Sequence, residues 1–185
     1  MIGVDEVGRG CLAGPLLVVA ARVKSNLPKG VKDSKLLTRS QREGLFPSLL
    51  EACEFGEGWV SAVEIGKLGL AGSLKLATER ALQGLVLDPG EEVIMDGSVN
   101  YLPKQVTNGR VMVKADQLVP AVSAASIIAK VKRDSYMVEL SKKYPNYSFE
   151  DHVGYGTKRH LAAIKTYGPL ELVHRLNFAP FRGPL

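Results

Sequence analysis

The sequence has few residues of the types that build zinc or disulfide sites. It contains 2 cysteines and 3 histidines among 185 residues. Cys11 and Cys53 match no metal-ligand spacing, and His152, His160 and His174 lie far from both of them along the chain. A zinc site is therefore not expected, and a disulfide is not expected in a reducing compartment. We expect both thiols to be small, buried core residues.

Long apolar segments are also absent. The longest apolar run, residues 16–21, is far too short to cross a bilayer. Asp5, Glu6 and Arg9 interrupt the region where a signal peptide would carry its apolar segment. These absences predict a cytoplasmic protein without a membrane partner.

The composition is that of an ordinary globular domain, but the charge is unevenly distributed. Hydrophobic residues make up 45% of the chain and charged residues 23%, and the net charge is +5. Residues 1–103 carry 11 basic and 13 acidic residues, whereas residues 104–185 carry 13 and 6. The length favours a single domain over residues 1–185. The basic second half suggests a polyanionic partner, although the charge alone is weak evidence.

The residue pattern predicts an α/β fold. Valine-rich or alternating segments indicate strands at residues 2–6, 16–24, 55–63, 92–97 and 110–114. Helices are expected from a cap at Thr38 or Ser40 to Glu54, at residues 64–70, 73–85 and 157–167, and from Pro120 through residues 121–143. We expect one mixed five-stranded sheet flanked by helices, with its first three strands as an antiparallel meander, and a helical C-terminal extension at about residues 145–185.

Carboxylates follow or end three of the predicted strands. Asp5 and Glu6 end the first strand, Asp96 ends the fourth, and Asp116 follows the fifth. Successive strand residues point to opposite faces, so Asp5 and Glu6 need a bend to converge, which the glycines after Glu6 can provide. Clustered carboxylates repel one another, and two divalent Mg²⁺ or Mn²⁺ ions would remove that repulsion and support phosphodiester hydrolysis.

Each acid also has a simpler interpretation. Asp96 before Gly97 is by itself typical of a turn, and the other acids could cap helices. The four acids together on apolar strands make that interpretation weaker. Asp134 is set apart from them, because it lies within a predicted helix and is expected to form a surface charge pair with Lys130, four residues earlier.

Several ordered motifs resemble those of ribonuclease HII. The N-terminal segment Gly3-Val4-Asp5-Glu6-Val7-Gly8-Arg9-Gly10, followed by Leu12-Ala13-Gly14-Pro15, is similar to the signature of that family. The later matches, in the family's order, are Lys32-Asp33-Ser34-Lys35-Leu36-Leu37, Ile94-Met95-Asp96-Gly97, Lys114-Ala115-Asp116, Ser123 to Val131, His152-Val153-Gly154-Tyr155-Gly156-Thr157 and His174-Arg175. A lone Gly-Arg-Gly would mean little, but the ordered set covers nearly the whole chain.

The resemblance implies a ribonuclease H-like fold and a metal-dependent endonuclease. Its substrates would be the RNA strand of RNA/DNA hybrids and ribonucleotides embedded in duplex DNA, cut on their 5′ side to give 3′-hydroxyl and 5′-phosphate ends. The implied roles are ribonucleotide excision repair and replication. Two Mg²⁺ or Mn²⁺ ions would be held by Asp5, Glu6, Asp96 and Asp116.

The resemblance also implies a substrate-binding set. Gly8, Arg9 and Gly10 together with Tyr155 would recognise the ribonucleotide, while Arg9, Ser34 and Lys35 would contact the substrate strand. Taken alone, Tyr155 is more typical of a core or turn tyrosine, and Lys35 of a solvated surface cation.

Alternatives and departures remain. Another ribonuclease H-like nuclease of the DNA resolvase type could share the acids, and a non-catalytic hybrid-binding module could share the basic half. Ribonuclease HIII usually carries an extra N-terminal domain, so the short segment ahead of Asp5 favours ribonuclease HII. Ala115 and Cys11 stand where other residues are common in the family, and neither puts an acid in doubt. We expect a monomer, and residues 177–185 show no evident sliding-clamp motif.

Overall fold

Five strands form one mixed sheet in the computed structural model, which describes residues 1–31 and 34–181 and, for Lys35, the backbone alone. The strands are β1 (Ile2–Val7), β2 (Leu16–Val23), β3 (Cys53–Val60), β4 (Val93–Asp96) and β5 (Gly109–Met112). Their order across the sheet is β3-β2-β1-β4-β5. β1, β2 and β3 pair antiparallel, whereas β4 and β5 continue the sheet in parallel from β1. The predicted mixed five-stranded sheet and its antiparallel meander are confirmed.

Two of the helices of the described residues lie between strands, and the other four follow the last strand. They are α1 (Arg39–Ala52), α2 (Ala62–Gln83), α3 (Ala115–Leu118), α4 (Pro120–Lys143), α5 (Phe149–His152) and α6 (Lys158–Tyr167), with 3₁₀ turns at Ser34–Leu36 and Pro145–Tyr147. Within residues 1–31 and 34–181, every helix is too short or too polar to cross a membrane.

The expected start of α1 is confirmed, but its end is two residues earlier than predicted. The Thr38 hydroxyl accepts a hydrogen bond from the backbone N–H of Gln41, whose side chain accepts one from the N–H of Thr38. The helix ends at Ala52 because Cys53 already pairs with Val23 of the sheet. Pairing in β3 therefore outweighs the helical pattern of the last residues.

Helices cover both faces of the sheet. On one face, α2 packs against alternate residues of β1 and β2, including Val4, Leu16 and Val18. On the other face, α1 and α4 cover Leu17 and Val19 together with their neighbours. The helix α2 is broken at Gly69, where φ is +66°. A break between two helical segments was predicted, but at residues 71–72, so Gly69 lies inside the first predicted segment.

Glycines in β3 bring α2 close to the sheet. Gly56 and Gly58 weaken the strand pattern in the sequence, yet a Cβ at either position would overlap the backbone carbonyls of Ala81 and Ala77. Their missing side chains therefore allow close packing of helix on strand. The outer β3 strand is thereby joined firmly to the core.

The C-terminal elements pack at one end of α4. Tyr147, Phe149, Ile164 and Val173 form a buried cluster with Met137 of α4. The same cluster includes Leu12 and Ala13, which lie in the loop between β1 and β2. This contact places the C-terminal helices beside the end of β1.

Candidate active site

An open cleft of about 230 Å³ lies at the C-terminal end of β1. Its walls are residues that the sequence singled out, together with others that it did not: Asp5, Glu6, Val7, Gly8, Arg9, Gly10, Ser34, Arg42, Asp96, Ser126, Lys130 and Tyr155. These side chains come from β1, β4, α1 and α4 and from three loops. The cleft is therefore assembled from distant parts of the chain.

The sheet topology places Asp5 beside Asp96. β1 and β4 run parallel with Val4 opposite Met95, so the next residue of each strand lies at the same edge of the sheet. The Asp96 carboxylate also accepts a hydrogen bond of 2.7 Å from the backbone N–H of Ala115. Asp96 is thereby held in place by the segment that follows β5.

Glu6 reaches the cleft from within a regular strand, without the bend that the glycines after it were expected to provide. The strand pairs with β2 through Val7, and Glu6 lies opposite Val18 within that regular pairing. Asp5 and Glu6 nevertheless both line the cleft, because the cleft lies across the end of the strand and not over one face. The turn comes later, at Gly8, where φ is +85°.

The environment of Asp5 opposes its charge. The pKa of Asp5 is raised to about 8, mainly by burial and in smaller part by the neighbouring negative charges of Glu6 and Asp96. Hydrogen bonds from Ser126 and from the backbone N–H of Glu6 act in the opposite direction. A carboxyl group in such surroundings holds a proton at neutral pH unless a cation takes the proton's place.

Asp116 lies outside the cleft walls. The fifth strand ends at Met112, earlier than predicted, and Asp116 is in the short helix α3, where it is only 2% exposed. It follows Ala115, whose N–H is bonded to Asp96, so its backbone is near the site. Among residues 1–31 and 34–181, no three acidic, histidine or cysteine side chains already form a metal-holding group.

The donor chemistry of the cleft fits hard divalent cations. Asp5, Glu6 and Asp96 supply only carboxylate oxygens, and their mutual repulsion is what a cation would relieve. Magnesium retains several waters and is commonly held by one or two carboxylates, so a closed protein cage is not required.

The loop after β1 presents backbone and one cation to the cleft. The Arg9 side chain is 53% exposed, with a guanidinium nitrogen 3.6 Å from a Glu6 carboxylate oxygen. A Cβ at Gly10 would meet no other atom within 4 Å, whereas one at Gly8 would overlap the Arg133 side chain. Gly8 is thus required by the fold, and Gly10 leaves open space toward the cleft.

Two buried arginines hold this loop through backbone carbonyls. Arg133 donates to the carbonyls of Ala13, Pro15 and Val153, at 2.8 to 3.2 Å. Arg175 donates to the carbonyls of Arg9 and Gly14, at 3.1 and 3.0 Å. Both arginines are fully buried, and burial lowers the pKa of Arg175 to about 10.

Tyr155 reaches the cleft from a turn that docks on the same loop. Its side chain is 41% exposed, which is too open for the core tyrosine that its residue type alone suggests. The carbonyl of the preceding residue, Gly154, accepts hydrogen bonds from the N–H groups of Leu12 and Ala13. At Gly154 φ is +89°, and a Cβ there would overlap the carbonyl of Ala13.

Asp134 is buried, contrary to the surface position expected from the sequence. The predicted pair with Lys130 is present at 2.9 Å, but Asp134 is only 7% exposed and also lies 3.9 Å from Arg42. Lys130 and Arg42 both line the cleft, and Lys130 lies 5.9 Å from the Tyr155 ring centre. Asp134 therefore orients two cleft cations.

Ser34 lines the cleft as a buried residue. Its hydroxyl shares a hydrogen bond of 2.8 Å with Ser126, which in turn bonds to Asp5. The predicted substrate contact of Lys35 lies outside the described residues, because only its backbone is described. Arg42, Ser126 and Lys130 were not predicted. Two of these could have been found from the sequence, since Ser126 and Lys130 lie in the motif of Ser123 to Val131.

The cysteines are free and buried, as predicted.

The charge asymmetry of the chain is only partly reflected in the cleft. Of its three cationic side chains, Arg9 and Arg42 come from the first half and only Lys130 from the basic half. The cleft's positive charge is therefore set by tertiary structure more than by the basic half.

Comparison with known proteins identifies relatives across the whole chain. The ribonuclease HII family model matches residues 2–180. Ribonuclease HII of Caldicellulosiruptor bescii is 40% identical over 95% of this chain and 84% of its own length. The crystal structure of ribonuclease H2 from Pyrococcus horikoshii is 30% identical, with a TM-score of 0.78 over 98% of this chain and 94% of that one. Bst-RNase HIII in complex with Mn²⁺ shares the fold at 23% identity, with a TM-score of 0.72 over 98% of this chain and 67% of that one.

Proposed function

The chain belongs to the ribonuclease HII family and is an endoribonuclease, and we propose that it uses two divalent metal ions to cut on the 5′ side of ribonucleotides. The substrates would be RNA/DNA hybrids and DNA duplexes with embedded ribonucleotides. The observation that carries this proposal is the cleft itself, in which three carboxylates face the glycine-flanked loop and Tyr155.

Asp5, Glu6 and Asp96 are the proposed metal ligands that already line the cleft. Asp116 is the proposed fourth ligand, and it would have to turn toward Asp96 from its buried position in α3. When bound, two Mg²⁺ or Mn²⁺ ions would activate a water molecule and stabilise the leaving oxygen. Support for Mn²⁺ comes from Bst-RNase HIII, whose structure contains it.

The chain's own residues would hold and orient the cut strand. Asp5 is kept in place by Ser126 and by the backbone N–H of Glu6, so its oxygen atoms have fixed directions. Arg9, Arg42 and Lys130 supply positive charge beside the carboxylates, where phosphates of the substrate would lie. The expected products carry 3′-hydroxyl and 5′-phosphate ends.

The ribonucleotide would be recognised at the loop of residues 8–10. The space over Gly10 lets a sugar approach the backbone closely enough for its 2′-hydroxyl to form hydrogen bonds. The half-exposed ring of Tyr155 would support the deoxyribose on the 3′ side of the cut. Ser34 and Lys35 would complete the contacts to the substrate strand.

The biological setting follows from this specificity. We propose that the chain acts in the cytoplasm as a monomeric single domain, with residues 145–185 as an extension that carries Tyr155. Ribonucleotide excision repair and removal of RNA during DNA replication are the proposed roles. A contact with a sliding clamp is not proposed, because no motif for it was evident in the sequence.

The test is cleavage of a DNA duplex that contains a single ribonucleotide, with sequencing of the cut position. We expect one cut on the 5′ side of the ribonucleotide, dependent on added Mg²⁺ or Mn²⁺. A duplex made only of DNA is the matched control and should stay intact. Comparable cutting of that control would instead favour a DNA resolvase type of nuclease, and cutting only at runs of ribonucleotides would contradict the proposed recognition.

A further inference from the structure

Three buried histidines lie beneath the turn that carries Tyr155. His152, His160 and His174 are 7%, 0% and 1% exposed, although they are spread over 23 sequence positions. The rings of His152 and His160 stack with their centres 4.3 Å apart, and Nε2 of His160 lies 3.2 Å from Nε2 of His174. The cluster is separate from the carboxylates and has no part in the proposed chemistry.

The hydrogen bonds around His160 and His174 determine which nitrogen of each ring carries the proton and donates it. Nδ1 of His174 accepts from the backbone N–H of Leu170 at 2.8 Å, so the proton of its neutral ring is on Nε2. That proton is then donated to Nε2 of His160. The remaining nitrogen of His160, Nδ1, carries its proton and donates to the carbonyl of Tyr155 at 2.9 Å. The bonds form one relay from Leu170 to Tyr155.

The relay is consistent only with neutral rings. Protonation of either histidine would place two N–H groups against each other or against the N–H of Leu170. Burial lowers the pKa of both His160 and His174 to about 4. At the pH of a nuclease assay the relay therefore keeps a single arrangement of protons.

The relay ends on the backbone of a residue that lines the cleft. The Tyr155 carbonyl accepts from His160 and also from the N–H of Thr157 at 2.9 Å, so both of its lone pairs are used. The segment at the other end of the relay is joined to the loop of residues 8–10, since Arg175 donates to the carbonyl of Arg9 and its N–H donates to the carbonyl of Leu12. The histidines thus link the two sides of the proposed sugar-binding site.

We propose that His160 and His174 are positioning residues that set the place of the Tyr155 ring relative to the loop of residues 8–10 and so determine selectivity for a single ribonucleotide. This inference rests on the proposed function, because it assigns Tyr155 a contact with the substrate. Neither histidine touches the cleft, and both act through the backbone of Tyr155.

The histidine geometry provides a matched pair of variants. In His160→Asn the side-chain amide N–H occupies about the place of Nδ1 and can still donate to Tyr155. In His160→Gln the amide reaches the place of Nε2, so the bond to Tyr155 is lost. Ile164→Ala in α6 is the control for stability alone, because Ile164 is fully buried in the adjacent cluster.

The readout is the ratio of kcat/KM on a duplex with one ribonucleotide to kcat/KM on a long RNA/DNA hybrid. Tyr155→Ala sets the largest expected change in this ratio. We expect His160→Gln to lower the ratio by about 10-fold or more, since misplacement of a binding group by about 1 Å can cost up to 100-fold. His160→Asn should restore the ratio, and Ile164→Ala should lower the melting temperature with the ratio unchanged.

The possible outcomes separate the inference from the proposed function. An unchanged ratio in His160→Gln, with a changed ratio in Tyr155→Ala, would overturn the positioning role and leave the function in place. An unchanged ratio in Tyr155→Ala would overturn both. If His160→Gln does not fold, His174→Asn gives the same test, because it removes the donor to His160 while its amide oxygen can still accept from Leu170. A lowered ratio is then expected, and a normal one would contradict the relay.

Discussion

Replacing Asp5 with asparagine should make the metal-free protein more stable while abolishing its activity. The carboxyl has a pKa of about 8 in the folded chain against 3.8 as its ordinary value, so folding requires the group to be held largely protonated at pH 7. That requirement costs about 4 kcal/mol at pH 7, because the folded chain keeps the group protonated roughly 3 pH units above its ordinary pKa of 3.8. Asparagine avoids this cost, and its side-chain oxygen can still accept the hydrogen bond from the N–H of Glu6.

The gain should be visible in thermal unfolding at pH 7 in the presence of a chelator. A chain of this size shifts its melting temperature by roughly 2–4 °C per kcal/mol, so Asp5→Asn should melt roughly 8–16 °C higher than the wild type. The difference should shrink as the pH falls toward 3.8, because the acid then holds its proton in both the folded and the unfolded states. Turnover on hybrid substrates should fall by orders of magnitude.

Metal ions and a matched control test the same reasoning. Added Mg²⁺ or Mn²⁺ should stabilise the wild type, through binding to the folded state, and should stabilise Asp5→Asn much less. Asp134→Asn is the same chemical change at a buried acid that is paired with Lys130 at 2.9 Å. It should lose about 1–3 kcal/mol of stability. An Asp5→Asn protein that is no more stable than the wild type, or that retains near-normal activity, would refute the account of the site.

Four further outcomes are expected. Gly10→Val should fold normally, since a side chain there meets open space, yet its kcat/KM should fall about 10-fold or more on every substrate. Gly8→Ala is the contrasting variant and should lose about 1–3 kcal/mol of stability in urea unfolding, because φ at Gly8 is +85° and the Arg133 side chain fills the space. Asp96→Asn should lower turnover by orders of magnitude with an unchanged circular dichroism spectrum, and near-normal turnover would exclude it as a ligand. Affinity for hybrid duplex should fall steeply with salt, with a log–log slope of about −0.9 for each phosphate neutralised; an affinity independent of salt would contradict the cationic cleft. In the Asp5→Asn protein, which lacks the opposing titration of Asp5, stability should decline as the pH falls from 6.5 toward 4, by on the order of 2 kcal/mol per histidine at pH 5. The reason is that unfolded His160 and His174 take up protons that the folded chain excludes, and chemical denaturation of this variant at pH 7 and 5 measures the loss.

Local patterns in the sequence predicted the sheet and most of the candidate acids. Valine-rich runs of β1 and β2 are buried on both faces, so their pattern is strong and their boundaries were nearly right. Asp5 and Asp96 were found because each ends an apolar strand. Asp116 was predicted to lie directly after the fifth strand, but β5 ends at Met112. The strand is short and partly exposed, so no hydrophobic pattern in the sequence marks where it ends.

Contacts between residues that are far apart in the chain could not be predicted from the sequence. Asp134 was expected on the surface from its spacing to Lys130, and that spacing gave the right partner. It gave no indication of Arg42, which is 92 positions earlier and lies 3.9 Å from the Asp134 carboxylate. The burial of Arg133 and Arg175 could not be predicted from the sequence, because their partners are backbone carbonyls that every residue possesses. Such contacts depend on the tertiary structure alone.

The contacts of Arg175 also bear on how the protein is made. Its guanidinium and its backbone N–H bond to Arg9 and Leu12, more than 160 positions earlier in the chain. The strands that carry Asp5 and Asp96 are synthesised long before these contacts can form. A growing chain can therefore complete its sheet and its carboxylates while the loop of residues 8–10 still lacks its C-terminal support. If the loop recognises the sugar as proposed, the ability to discriminate between sugars would be acquired last, when residue 175 has left the ribosome.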